Sequence, residues 1–142
     1  MPSDLILKKL EQMAILLKEL AELLGLPFSE FKSRFTNVRS AERNFQLIVE
    51  LASDINAHTL AELGAEIPDT YRESFTRMAE QKIIDEGSLP AFIKSSILRN
   101  ILTHEYDFDE DNLIFYKSAQ GFVPLYEKYV QSIKSYLASR GS

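Results

Sequence analysis

The 142 residues make about one domain, enough for a single buried core, and 45% hydrophobic with 26% charged content excludes a disordered chain. With no cysteine and only two histidines, His58 and His104, a disulfide scaffold, thiolate metal sites, cysteine nucleophiles and a histidine-rich metal centre are all excluded. A formal net charge of −5 argues against nonspecific nucleic-acid binding, which needs cations to neutralise phosphates.

Ser3-Asp4 offers an N-cap to a long amphipathic first helix, with Leu5, Leu7, Leu10, Ala14, Leu17, Ala21 and Leu24 at mixed three- and four-residue steps. Asp4, Lys8, Lys9 and Glu11 interrupt this first apolar stretch, so it reads as neither a signal peptide nor a membrane span, and a cytoplasmic protein is expected. Gly25 and Pro27 stop the helix. Ser29-Glu30-Phe31 adds a short turn that pins Phe28, Phe31 and Phe35 against the core.

Asn37 caps a second long helix whose stripe is Val38, Ala41, Phe45, Ile48, Ala52 and Ile55. Leu47, Val49 and Leu51 cover its other faces, so this helix is central or lies in an interface between two copies. Gly64 ends it. A third helix starts at Pro68-Asp69 and runs to about Ile84, presenting Tyr71, Phe75, Met78 and Ala79, before Glu86-Gly87 break the chain. Ser88 and Pro90 open a fourth helix that reaches about Tyr106, with Phe92, Ile93, Ile97, Leu98, Ile101 and Leu102 as its buried face.

Asp107 to Asn112 form an acidic loop and the cap of a last helix, in which Gly121 and Pro124 predict a kink or break before Tyr126 to Leu137 resume the period. Residues 140–142 are a tail. No segment shows sustained two-residue alternation. The expectation over residues 1–142 is an all-α, single-domain, up-and-down antiparallel bundle of four to five helices.

Charge is uneven along the chain. Lys32, Arg34, Arg39 and Arg43 face only Glu30 and Glu42 between residues 29 and 45, whereas Glu105, Asp107, Asp109, Glu110 and Asp111 crowd together. The stretch able to do chemistry is Arg99-Asn100-Ile101-Leu102-Thr103-His104-Glu105-Tyr106. Its imidazole titrates near neutrality and suits acid-base work, while a planar guanidinium suits bidentate phosphate binding. Together they can cleave RNA without a metal, a base activating the 2'-hydroxyl as the cation stabilises charge on phosphorus.

At about 100° per residue, Arg99 and His104 stand roughly 140° apart on a helix, so the arginine must reach round or a second copy must complete the site. The structural alternative is that Arg99 pairs with Glu105 or Asp107 and His104 caps its helix. Asp54 could orient an imidazole or hold Arg99, or else hydrogen-bond His58 one turn on. Glu50, Asp54 and His58 at four-residue steps imitate a metal face but lack further ligands, so no metal and no cofactor is expected. The aromatic series Tyr116, Phe122, Tyr126, Tyr129 and Tyr136 fits core packing better than base stacking.

The motif reads RN-I-L-x-H-E-Y and resembles the Arg-x4-His-x-Tyr signature of the HepT-like toxins of the HEPN (higher eukaryotes and prokaryotes nucleotide-binding) superfamily. The segments from Glu42 to Glu50, with Asp54, Ile55 and His58, and from Asp69 to Phe75 are similar to that family's second and third helices. Ile97 stands where the family often has glycine and Thr103 where it has valine, and the larger side chain at Ile97 bears on how closely two helices approach. The resemblance implies a HEPN-like fold and a homodimer in which two motifs line a shared cleft. It implies a metal-independent endoribonuclease toxin acting on RNA such as tRNA, with a small MntA-like nucleotidyltransferase antitoxin as partner.

In that setting Arg99 and His104 are the catalytic pair, Asn100 and Asp54 support them, and Tyr106 takes AMP units from the partner. Phosphate added there would block the cleft by charge and bulk. The competing reading is a non-catalytic subunit that presents substrate or nucleotide to a nucleotidyltransferase.

Overall fold

The computed structural model describes residues 2–104 and 108–140, with side chains over 3–103 and 112–140. Six helices and no strands occur among the described residues: α1 (Pro2–Leu24), α2 (Phe28–Ser33), α3 (Phe35–Glu62), α4 (Tyr71–Glu80), α5 (Leu89–His104) and α6 (Phe108–Arg140). A 3₁₀ turn over Glu86–Ser88 leads into α5. No helix is long and apolar enough to cross a membrane among the described residues.

Cross-helix bonds give the directions. Lys9 meets Asp54 while Asn44 reaches back to Leu16 and Glu19, so α1 and α3 are antiparallel. Glu62 pairs with Arg140 and Phe45 packs on Phe115, so α6 runs parallel to α3. Phe92 meets Tyr129 where Ser95 meets Tyr126, setting α5 antiparallel to α6. The result is the expected all-α bundle in one domain.

Helix α3 lies at its centre, packing on α1, α2, α4, α5 and α6. Its stripe Val38, Ala41, Phe45, Ile48, Ala52 and Ile55 is buried as its spacing predicts. On its other faces Val49 is buried as well and Leu51 packs partly buried against the core. Among the buried polar groups, Asn56 donates to Ser74 Oγ (3.1 Å) and accepts from the Tyr129 hydroxyl (2.5 Å), joining α3, α4 and α6. Burial pushes the phenols of Tyr126 and Tyr129 well up, so both stay uncharged.

Several expectations need correction. The buried stripe of α1 is Ile6, Leu10, Met13, Leu17, Leu20 and Leu24, leaving Leu5 and Leu7 about two-fifths exposed. Phe31 is buried but Phe35 is 72% exposed, because it opens α3 on the side away from the core. That helix starts at Phe35, before Asn37, with Arg34 as an N-cap whose side chain makes no cap bond and whose carbonyl accepts the Asn37 N–H. Ile97 is 50% exposed; Ser95 and Ser96 occupy the buried face of α5, Ser95 bonding Phe92 O and the Tyr126 hydroxyl. Helix α6 continues through Pro124 without a break, held on both sides of it by Phe122 stacked on Phe45 and by buried Tyr126.

Helix α4 stops at Glu80, short of Ile84. Lys82 takes φ 61°, its N–H bonds Ala79 O and the Ile83 N–H bonds Met78 O. The end of α3 has the same pair of bonds around Gly64 at φ 70°. A lysine in that conformation is strained where a glycine is not, so Lys82→Gly is expected to stabilise the fold by about 0.5–1 kcal/mol, read as a higher urea midpoint with an unchanged slope.

Candidate functional site

Arg99 is presented by α5 between the buried Leu98 and Leu102. Its guanidinium does not point outward. Nη2 donates to Glu50 Oε1 of α3 at 2.6 Å, and the two side chains are only 16% and 33% exposed. Its centre lies 5.0 Å from the centroid of the Tyr71 ring, at the start of α4. Nη1 stands 3.4 Å from Asn100 Oδ1, and the backbone carbonyl of Arg99 accepts from Thr103 Oγ1 at 2.9 Å.

A cleft of about 380 Å³ opens beside this group, lined by Arg99 and Asn100 of α5, Ser53 and Ala57 of α3, and Pro68 to Tyr71. Burial raises the Tyr71 phenol above its ordinary value; Glu50 and Asp54 add to the rise and Arg99 opposes it, so the ring stays neutral. An ion pair this sheltered is screened little by solvent, and removing either member would leave a charge poorly compensated.

Of the expected site residues, Arg99 and Asn100 come together at the cleft. The backbone of His104 ends α5, five positions on from Arg99, whereas its side chain and Tyr106 lie outside the described residues, as do Glu105 and Asp107. Asp54 does not hold Arg99: its carboxylate, exposed, pairs with Lys9 at 3.4 Å. Glu50 takes that task one turn earlier on the same helix. With Glu50 committed to Arg99 and Asp54 to Lys9, the metal-like face of α3 is divided between two cations. On the basic side of α3, Arg43 is exposed and reaches Gln46 at 3.4 Å.

Glu50 and Tyr71 are the participants that sequence reasoning did not single out. Glu50 was visible as the first member of the acidic steps Glu50 and Asp54; nothing in the spacing said which would face α5. Tyr71 was legible only as an apolar position of its helix.

The arrangement can do two things chemically. It offers a cation, fixed in place, to an anion entering the cleft, and it puts a titratable imidazole's backbone on the same helix one and a half turns away.

Residues 13–133 match the ribonuclease HepT-like family. The chain is similar to a tRNA nuclease HepT of Aphanizomenon flos-aquae, 32% identical over 129 residues that cover 91% of this chain and 87% of the relative. It is also similar to an mRNA nuclease HepT of Shewanella oneidensis, 30% identical across 94% of this chain and 98% of the relative. A solved structure of a tri-AMPylated Shewanella oneidensis HEPN toxin in complex with MNT antitoxin superimposes with a TM-score of 0.80 at 28% identity, covering 93% of this chain and 98% of the other. The match spans nearly the whole bundle, α5 and its motif included, and the chain belongs to the ribonuclease HepT-like family.

Proposed function

We propose that this chain is a metal-independent endoribonuclease toxin, with Arg99 as the phosphate ligand and His104 as the proton-transfer group. The observation that carries the reading is the guanidinium of Arg99, fixed by Glu50 at the mouth of the cleft and five helical positions before His104. In the reaction His104 takes the proton of a ribose 2'-hydroxyl, the 2'-oxygen attacks phosphorus and the bond to the 5'-oxygen breaks. The His104 imidazolium then gives a proton to the leaving 5'-oxygen, which yields a 2',3'-cyclic phosphate and a 5'-hydroxyl and restores the neutral imidazole. Arg99 stabilises the charge that builds on the phosphoryl oxygens, and Asn100 positions the group beside it.

Two copies meet along α5 in this reading, where Ile97 presents an exposed apolar side chain two residues before Arg99. Such a pairing sets the two motifs side by side, which offsets the angular separation of Arg99 and His104 on one helix. The antitoxin is a small MntA-like nucleotidyltransferase, and AMP attached at Tyr106 would add negative charge and bulk to the motif that carries Arg99 and His104.

The test is incubation of purified protein with tRNA and with mRNA in excess EDTA. Cleavage to cyclic-phosphate ends, abolished by a 2'-deoxy substitution at the cut and accompanied by a two-chain mass in solution, is the expected result. An intact substrate at high protein concentration, with tight binding of a nucleotidyltransferase and nucleotide, would replace this reading by that of a non-catalytic partner subunit.

A further inference from the structure

Besides the long 3.4 Å contact of Nη1 with Asn100 Oδ1, two groups meet the Arg99 guanidinium from different directions. Glu50 holds one edge, through Nη2 at 2.6 Å. The Tyr71 ring covers it at 5.0 Å from its centroid, a distance at which a cation is attracted to the ring's electron-rich face. An edge contact alone leaves the planar group free to swivel about that bond. A ring laid against it removes the swivel.

Tyr71 is itself held in place from outside the cleft. It is the first residue of α4, directly after the N-cap Thr70, whose hydroxyl accepts the Glu73 N–H at 3.0 Å. The Glu73 carboxylate reaches back to the Asp69 N–H at 3.0 Å, forming a reciprocal cap. Arg77 then pairs with Glu73 at 3.0 Å and with Glu66 at 2.9 Å, tying the cap to the loop that precedes it. Farther along α4, Phe75 is buried against Phe92 of α5, the helix that carries Arg99. Thus the ring and the guanidinium are registered to each other by one packed helix pair.

We propose that Tyr71 is a positioning residue of the ribonuclease reaction, fixing the plane of the Arg99 guanidinium so that its free N–H donors face the cleft. The inference rests on the assignment of Arg99 as the phosphate ligand. A guanidinium free to rotate still attracts a polyanion, so RNA binding changes little. It no longer meets the phosphoryl oxygens in one orientation as charge develops on them, and turnover falls.

The experiment compares Tyr71→Phe and Tyr71→Leu in the full chain. Phenylalanine keeps the ring face and leucine keeps apolar bulk without it. Two readouts are taken: kcat and KM for RNA cleavage, and the Nε–Hε NMR resonance of Arg99, assigned by its disappearance in Arg99→Lys. Tyr71→Leu is expected to lower kcat about tenfold with KM within about twofold, and to move the resonance by loss of the ring-current field. Tyr71→Phe is expected to keep both within about twofold of wild type.

Wild-type kcat in Tyr71→Leu, or an equal loss in Tyr71→Phe, would overturn the proposal. Should leucine fail to fold, Tyr71→Met takes its place with the same criteria. If wild-type protein cleaves no RNA, the ribonuclease assignment falls while the resonance still decides the contact: unmoved in Tyr71→Leu, it overturns the positioning, and moved there but kept in Tyr71→Phe, it supports it.

Discussion

Arg99→Ala and His104→Ala are each expected to lower RNA cleavage by about a hundred- to a thousandfold, as loss of a group acting on transition-state charge or proton transfer does. The two should differ in their side effects. Arg99→Ala leaves Glu50 as a sheltered carboxylate without its cation, so its thermal transition is expected to drop as well. Arg99→Lys keeps the charge but offers a point donor in place of a planar fork, and should recover only a minor part of the activity. The double variant Arg99→Ala with Glu50→Ala removes both charges. It is expected to regain stability without regaining cleavage, separating the two roles of the arginine. Gel-resolved cleavage rates and denaturant midpoints on the same preparations check this; activity equal to wild type in both single variants would remove the assignment.

The largest expected loss of stability is at Phe75. Its ring is fully buried, stacked on Phe92 at 4.9 Å between centroids and 12° between planes, with Tyr126 and Tyr129 edge-on at 6.5 and 6.4 Å. Phe75→Ala removes these contacts and opens a cavity where α4, α5 and α6 converge, costing about 3–5 kcal/mol. Against a usual total of about 5–15 kcal/mol, this brings the chain to the edge of unfolding at physiological temperature. A urea titration followed by helical circular dichroism reads it directly. Phe35→Ala is the matched control: at 72% exposure the same deletion should stay within about 0.5 kcal/mol of wild type.

The helical pattern of the chain was legible where apolar residues recur at three- and four-residue steps. On α3 the steps Phe45, Ile48, Ala52 and Ile55 trace a stripe that is buried, with Val49 beside it. On α1 the rule degenerates. Leu5, Ile6 and Leu7 are equally apolar, and only contact with α3 and α6 selects Ile6. The end of α4 escaped for a different reason. The bond pattern that closes it matches the one at Gly64, yet a lysine occupies the left-handed position, so the usual glycine signal is absent.

At the site, the motif named Arg99 from spacing and resemblance. Its partners could not be read that way, because Glu50 lies 49 positions away and Tyr71 is brought to the guanidinium by tertiary packing. Asp54 and Glu50 share one polar stripe of α3, and a difference of one turn decided which met Arg99 and which met Lys9. Pro124 shows the limit of local reasoning from the other side. Proline removes one helical bond, and packing of α6 along α1 and α3 outweighs that single loss.

Burial along α5 is one-sided. Phe92, Ser95, Leu98 and Leu102 are enclosed, while Ile97, Asn100 and Thr103 between and beyond them face outward. The helix is therefore anchored along its length, and its amides from Ser95 to Leu102 are expected to exchange with solvent through openings that also disturb the core. Changes of side chain on the outward face can then alter what the helix presents without drawing on the cohesion of the interior.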